Sequence, residues 1–356
     1  MNLNNIPTFK IDSYIFDKNN YNLILYLSNL LGKKAESIVS ILDQCNFFNN
    51  SPEGRLLLAV LHDLHHFSCG NFFIVENGAI KTIALIKSNQ IDISELILDR
   101  SLSINQIAVS GMDSLSEVKL NLSSLTEVTI THNSNIDLLI CDIQNLRKIH
   151  LSFNKFTDTK IYNTPNVDEL RLINNDGANI NISEFRFLKK LTIKNNLEEI
   201  VIKNNIFLEE LDCSGNKIES LDLSCLPNLK TLNCSGNMIE SLYISGLTNL
   251  EYLNCDSNML ELLNLDAHSN LIEVNCSTNR LKDMRITGAP LLEAIICSSN
   301  QLKEINIKDL AMLSYLDCED NNISCIDASN NPLISEIHCE KNRPSNLIGM
   351  RSFKNI

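Results

Sequence analysis

Residues 211–237 read LDCSGNKIESLDLSCLPNLKTLNCSGN, and the pattern of this stretch returns every 21 positions as far as Asn342. Seven cysteines keep the spacing: Cys213, Cys234, Cys255, Cys276, Cys297, Cys318 and Cys339. An asparagine follows each cysteine by three residues, and an aliphatic residue precedes it by two. A fixed period of this length predicts a solenoid, in which each turn buries its apolar side chains against the next turn.

The alternation of apolar and polar residues around each cysteine is typical of a β-strand. Leu211 and Cys213 are expected to point inward, while Asp212 between them faces solvent. Each strand is expected to pair in parallel with its counterpart in the next unit, so that the cysteines form a buried ladder of reduced thiols. The asparagine side chain is expected to satisfy backbone groups at the bend that follows the strand.

The unit L-x-x-L-x-C-x-x-N resembles the leucine-rich repeat, with cysteine in the place of the third leucine. Degenerate copies begin at Leu125, Leu146, Val167 and Leu188, and the resemblance extends over residues 91–343. It implies an α/β solenoid of the horseshoe type, with a parallel β-sheet on the concave face and a binding surface on that face.

Residues 1–90 lack the regular repeat and are predicted to form a helical N-terminal capping domain. Amphipathic patterns predict helices over Tyr21–Leu31 and Ala35–Phe47, and a third helix is predicted to begin at Ser51. The stretches 71–75 and 79–86 flank an Asn-Gly pair, which indicates a possible β-hairpin. Residues 344–356 are predicted to be a C-terminal tail.

The solvent-facing positions of the predicted strands provide a candidate binding site. Its residues are Tyr252, Glu273, Ala294, Ile296, Tyr315, Asp317, Glu319, Glu336 and His338. Tyrosine, alanine and isoleucine at these positions predict a local apolar spot, and the carboxylates around it are typical of the charged rim of a protein interface. Scattered exposed apolar residues are also common on proteins without a partner, and this is the alternative interpretation.

Charge is unevenly distributed along the chain. The 356 residues include 30 Lys and Arg against 43 Asp and Glu, a net charge of −13. Residues 208–342 hold 8 of the basic and 21 of the acidic residues, so they carry this whole excess. We therefore predict a protein partner with a basic surface, with plain solubility as the alternative reason for the charge, and expect neither nucleic acid nor a membrane as partner.

A modest basic stripe occupies the equivalent positions of the earlier repeats. It consists of Lys148, His150, Arg171, Lys190 and Lys194, with Thr192 among them. No aromatic residues are interleaved with it, although they are typical of surfaces that bind single-stranded nucleic acid. The stripe does not change the expectation of a protein partner.

Catalytic and metal-binding motifs are weak in this sequence. It contains no G-x-S-x-G, no phosphate-binding glycine loop and no H-E-x-x-H. His62 and His66 are one helical turn apart with Cys69 nearby, but Asp63 stands where a zinc-binding helix has glutamate. Ordinary histidines at a helix end are the interpretation that we favour. We predict that the protein is not an enzyme and needs no metal and no cofactor.

The predicted function is a non-catalytic scaffold for protein–protein interaction. The repeat units are similar to those of leucine-rich-repeat effectors that Legionella-type intracellular bacteria translocate into host cells, which implies binding of a host protein. The basic residues Lys341, Arg343, Arg351 and Lys354 do not resemble an acidic secretion signal. An F-box-like adaptor of a ubiquitin ligase, without the Leu-Pro opening of that family, and a housekeeping cytosolic adaptor are the alternatives. We expect a cytoplasmic protein, or one secreted into a host cell without a cleaved signal peptide.

Overall fold

The computed structural model describes residues 8–11, 14–17, 72–76, 79–86, 94–98, 102, 104–112, 114–342 and 346–349. The chain divides into two compact units, residues 1–184 and residues 185–356. The helices predicted over 21–31, over 35–47 and from Ser51, and the histidines His62 and His66 with Cys69, lie outside the described residues.

The first unit begins with two antiparallel pairs of strands. Strands β1 (Thr8–Ile11) and β2 (Tyr14–Asp17) pair with each other. Strands β3 (Phe72–Glu76) and β4 (Ala79–Ile86) pair at the position where the sequence indicates a hairpin. Strand β4 also pairs in parallel with β6 (Gln106–Ser110), so the parallel sheet takes in a strand that precedes residue 91.

Two parallel sheets form the repeats of the first unit. Strands β4 and β6 continue into β8 (Glu127–Thr131), β10 (Lys148–Ser152) and β12 (Glu169–Ile173). The return segments form a second sheet of β5 (Glu95–Leu98), β7 (Glu117–Leu120), β9 (Ile136–Cys141) and β11 (Phe156–Tyr162). Each turn of the chain therefore contributes one strand to each sheet.

The second unit repeats this plan with shorter strands. Its main sheet consists of β13 (Lys190–Lys194), β14 (Glu210–Asp212), β15 (Thr231–Asn233), β16 (Tyr252–Asn254), β18 (Glu273–Asn275), β20 (Ala294–Ile296), β21 (Tyr315–Asp317) and β23 (Glu336–His338). Return strands pair as β17 (Leu262–Asn264) with β19 (Asp283–Arg285), and as β22 (Cys325–Asp327) with β24 (Asn346–Ile348). Neighbouring strands from β14 to β23 pair in parallel in the 21-residue register of the sequence, which confirms the predicted solenoid.

The described residues contain no α-helix, and their one helical segment is a 3-10 turn at Ile182–Glu184. No described residue therefore supports the helical N-terminal cap, and in this part of the chain the expected α/β class is wrong. The reason lies in the return segments. Leu221 and Leu223 are both buried while Asp222 between them is exposed, a two-residue alternation that belongs to extended chain. Pro227 lacks the N–H that a helix interior needs.

The cysteines of the ladder point into the core, as predicted. Cys213, Cys234, Cys255, Cys276, Cys297 and Cys318 are fully buried, and Cys339 in the last complete turn is 9% exposed. All seven are free thiols. Burial raises the pKa of the thiols of Cys213, Cys276 and Cys318 to about 12. They therefore pack as small apolar groups between the strands.

The asparagines bind the backbone of two successive turns. Asn237 donates from Nδ2 to the carbonyls of Cys213 and Cys234, at 3.0 and 2.9 Å. Its Oδ1 accepts from the backbone N–H of Ile218 at 3.1 Å. Gly236, immediately before this asparagine, has a left-handed φ of 62°, which turns the chain out of the strand. Every amide of this row thus satisfies backbone groups that would otherwise be buried without a partner.

Candidate functional site

The predicted binding residues lie on the solvent-facing side of the main sheet of the second unit, which we call the strand face. In one row, Tyr252, Glu273, Ala294, Tyr315 and Glu336 are register partners across five neighbouring strands. In the next row, Asn254 and Asn275 are followed by Ile296, Asp317 and His338. Glu319 comes two residues after strand β21. These residues therefore lie on the strands where the repeat register places them, and their role in binding stays a prediction.

The apolar spot is smaller than the sequence predicts. Ala294 and Ile296 lie on one strand beside Tyr315 on the next, and all three are half-buried. Tyr252 is 41% exposed, but three strand spacings separate it from Tyr315, or about 14 Å. The structure therefore brings together alanine, isoleucine and one tyrosine, and leaves Tyr252 apart from them.

Tyr315 is surrounded by acidic groups and one histidine. Its ring centroid lies 5.6 Å from that of His338. Burial raises the pKa of the phenol, and the charges of Asp317, Glu336 and Glu319 raise it further. The phenol therefore stays protonated at neutral pH, where it can donate a hydrogen bond to an incoming group.

One group of three metal-ligating side chains is present among the described residues, at the end of the strand face. The ligand atoms of Glu319, His338 and Glu340 lie within 4.8 Å of one another. A side-chain hydrogen bond with Glu340 is the main reason that the pKa of Glu319 is raised. Two carboxylates and an imidazole could hold a divalent cation, or they could accept a basic side chain of a partner. Only Glu319 and His338 are among the predicted binding residues; the spacing of 21 positions between Glu319 and Glu340, with His338 two positions before Glu340, is the sequence signal that brings all three together.

Two members of the basic stripe, Lys148 and His150, are paired with an acidic residue of the first unit. His150 is buried, and its Nε2 lies 3.0 Å from Oε1 of Glu169 on the neighbouring strand. Lys148 Nζ lies 2.9 Å from Oε2 of the same glutamate. The hydrogen bond with His150, and after it the bond with Lys148, lowers the pKa of Glu169 to about 2. These two members of the stripe are bound within the protein.

We expect Glu169→Gln to lower the free energy of unfolding of the first unit by about 1–2 kcal/mol at neutral pH. The folded pKa of about 2 lies below the usual value of 4.5, so the charged carboxylate stabilises the fold. This contribution is complete above about pH 5 and is lost as the pH falls toward about 2, so the two proteins should converge there. Urea denaturation at a series of pH values measures the difference.

Glu261→Gln is the matched control for this measurement. Glu261 forms an ion pair of 2.8 Å with Lys282, but both side chains are largely exposed. Screening by water leaves such a pair with little effect on stability. If Glu169→Gln lowered the free energy of unfolding as little as the control does, or by an amount independent of pH, the pair of Glu169 and His150 would not stabilise the fold.

No helix in the described part of the chain has the length and the apolar character that a membrane-spanning segment requires. The described residues are strands, turns and one 3-10 segment. A solenoid of this kind is typically a binding scaffold without catalytic activity.

Comparisons with known proteins agree with this architecture. A family model described as leucine-rich repeats (2 copies) matches residues 206–246. The functional domain of InlJ from Listeria monocytogenes, which includes a cysteine ladder, is similar with a TM-score of 0.54 and 22% identity. The match covers 76% of this chain and 63% of that one, so the chain spans less than two thirds of the InlJ domain. A comparison with curated protein sequences finds no match.

Two further structures are similar at lower identity. A leucine-rich-repeat protein of Leptospira interrogans has a TM-score of 0.57 and 16% identity, over 81% of this chain and 94% of that one. An internalin, InlF of Listeria monocytogenes, has a TM-score of 0.50 and 19% identity, over 58% of this chain and 67% of that one. At these identities the likeness shows the fold alone. Together with the match at residues 206–246 and the register of the parallel strands, it shows that the chain contains leucine-rich repeats and has the solenoid fold of leucine-rich-repeat proteins.

Proposed function

We propose that the protein is a non-catalytic scaffold that binds a protein partner through the strand face of its second unit. The observation that carries this proposal is the contact set at the centre of that face. Ala294, Ile296 and Tyr315 occupy solvent-facing strand positions, where many of the neighbouring units carry polar residues such as Asn233, Asn254 and Asn275. Half-buried apolar groups within a polar surround are typical of the anchor of an interface.

The charge around these anchors supports a partner with a basic surface. Asp317, Glu319, Glu336 and Glu340 border Tyr315 and His338. The pKa of Glu319 is raised mainly by its side-chain hydrogen bond with Glu340, and also by the negative charges of Glu340 and Asp317. A lysine or arginine of a partner placed between these carboxylates would relieve their repulsion. Charge of this kind mainly increases the rate of association and its dependence on salt, while the apolar anchors limit dissociation.

The double variant Ile296→Asp/Tyr315→Ala tests the strand face. We expect it to weaken binding of the partner at least about tenfold, because the change removes an aromatic anchor and places a charge at the centre of the contact. Proteins recovered with the wild type would be identified by quantitative mass spectrometry, and the affinity of the purified partner would then be measured by calorimetry.

Tyr243→Ala is the control, since Tyr243 is 80% exposed and lies outside the main-sheet strands. It should leave the affinity unchanged. Equal affinities for the wild type and the double variant would contradict the assignment of the strand face.

The biological setting that we propose is a bacterial effector acting on a host protein, in the cytoplasm of the host after secretion without a cleaved signal peptide. It rests on the resemblance of the 21-residue units to those of leucine-rich-repeat effectors. A translocation reporter fused to the chain distinguishes this setting from a housekeeping adaptor in the cytosol. The F-box-like alternative depends on the N-terminal region, most of which lies outside the described residues.

A further inference from the structure

A second row of asparagines lies in the turns that lead into the strands of the second unit. Asn228, Asn249 and Asn270 are exposed, and each donates from Nδ2 to a backbone carbonyl 22 residues earlier, in the preceding turn. The distances are 2.8, 3.0 and 2.9 Å. The row therefore ties neighbouring turns together at the surface of the solenoid.

The next three turns carry large apolar side chains at this position. Leu291, Met312 and Leu333 follow in the same 21-residue register and are 47%, 40% and 51% exposed. Leucine and methionine have no N–H or O–H to donate to a carbonyl, so the replacement gives up the bond that asparagine makes. We call these three residues the apolar edge. The residues immediately before them are also apolar: Pro290, Ala311 and Pro332.

The apolar edge forms a row directly beside the strand face. Each of its residues precedes by three positions one of Ala294, Tyr315 and Glu336, which are register partners on neighbouring strands. Neighbouring turns are thus about 4.8 Å apart along the row. Exposed apolar residues are normal when scattered singly, whereas a contiguous row rimmed by polar groups marks an interaction surface.

The charged residues around the apolar edge are mainly acidic. Glu293, Asp309 and Glu336 are exposed beside it. Of the basic residues in these turns, Lys308 lies 3.7 Å from Asp327. A ligand that covers the row would therefore bring apolar groups to the centre and positive charge to the border.

We propose that the apolar edge is a docking site for a basic amphipathic segment of a partner protein, with apolar side chains along Leu291, Met312 and Leu333 and lysine or arginine facing the carboxylates. This inference rests on the proposed function, because it extends the binding surface from the strand face onto the adjoining turns. It adds a distinct contact that can be removed without altering the strand face.

The test uses the full chain and the triple variant Leu291→Asn/Met312→Asn/Leu333→Asn. Asparagine at this position is compatible with the fold, since three earlier turns carry it and bond through it. The probes are two synthetic helical peptides of equal length and charge, one with leucine and lysine on opposite faces and one with serine in place of leucine. Affinities are measured by fluorescence anisotropy at constant ionic strength.

We expect the wild type to bind the Leu/Lys peptide at least about tenfold more tightly than the Ser/Lys peptide, because three half-exposed side chains become covered. The triple variant should lose this preference, bind the Ser/Lys peptide as before and keep its melting temperature. Leu262→Asn, at a 46% exposed leucine on return strand β17, should behave as the wild type. The proposal is overturned if the triple variant still prefers the Leu/Lys peptide. It is also overturned if the triple variant unfolds at a markedly lower temperature, because the apolar edge would then stabilise the fold.

Failure of this inference and failure of the proposed function are separable. Ile296→Asp/Tyr315→Ala alters the strand face alone, and its effect is read with the natural partner. An intact peptide preference in that double variant, together with unchanged binding of the partner, would leave the apolar edge standing and contradict the strand face.

Discussion

Replacing Asn258 by leucine is expected to destabilise the second unit by about 4 kcal/mol. The Nδ2 group of Asn258 donates to the carbonyls of Cys234 and Cys255, at 3.0 and 3.1 Å, and Oδ1 accepts from the N–H of Ile239 at 3.1 Å. Leucine has a similar volume but bonds none of these groups, and each buried backbone group left unsatisfied costs about 1–3 kcal/mol. Guanidinium denaturation followed by circular dichroism measures the loss.

Asn249→Leu is the matched control, because it is the same substitution in the same repeat region. Asn249 is exposed and makes one side-chain bond to a backbone carbonyl, at 3.0 Å. Water can replace that bond, so we expect a loss below about 1 kcal/mol. If the two variants were equally stable, the buried asparagine row would not be what stabilises the bend.

The ladder thiol of Cys276 is expected to react with iodoacetamide about a thousandfold more slowly than the exposed thiol of Cys225 in the native protein. The thiolate is the reactive form, and burial raises the pKa of Cys276 to about 12 from the usual value of 9.0, which lowers its thiolate fraction by about a factor of a thousand. Cys225 lies exposed on a return segment. Mass spectrometry of the peptides after timed alkylation at mildly alkaline pH gives the two rates separately.

The same experiment in concentrated guanidinium is its control, since unfolding removes the burial that raises the pKa. There the thiols should react at similar rates. Rapid native labelling of Cys276 would instead mean that the turns around it open on the timescale of the reaction, or that the thiols do not face the core.

The alkylation experiment also tests why cysteine recurs at this position of the repeat. Desolvation by burial is the first cause of the raised pKa for every ladder thiol from Cys213 to Cys339. Thiols in this state pack well and react poorly, which suits a ladder whose role is to fill the space between strands.

Much of the candidate site could be predicted because the 21-residue period gives both the position of each residue in its strand and the side of the sheet to which its side chain points. Once Cys213 is placed in the core, its neighbour Asp212 must point to the opposite side of the sheet, and every later repeat has the same arrangement. The 21-residue period does not predict which side-chain contacts form between neighbouring repeats. His150 looked like a member of an exposed basic stripe, yet it is buried against Glu169 from the next strand.

In the return segments, too, some features follow from the sequence and others only from the structure. Their apolar residues, such as Leu221 and Leu223, are buried inside the coil. The α/β class was implied by the family resemblance, whereas the two-residue alternation of these residues belongs to extended chain. The second asparagine row was visible at the 21-residue spacing, but its hydrogen-bond partners and its replacement by an exposed apolar edge become apparent only in three dimensions.

The sequence by itself determined the solenoid, its register, the inward direction of the cysteines and the identity of the solvent-facing residues, because a strict 21-residue period leaves one way to stack identical strands. Only the tertiary structure decided how closely these residues approach one another and how exposed they are. His150 is buried against Glu169, Ile296 is half-buried and Leu291 remains 47% exposed, since burial and side-chain contact depend on the turns that lie beside each residue and not on its own repeat.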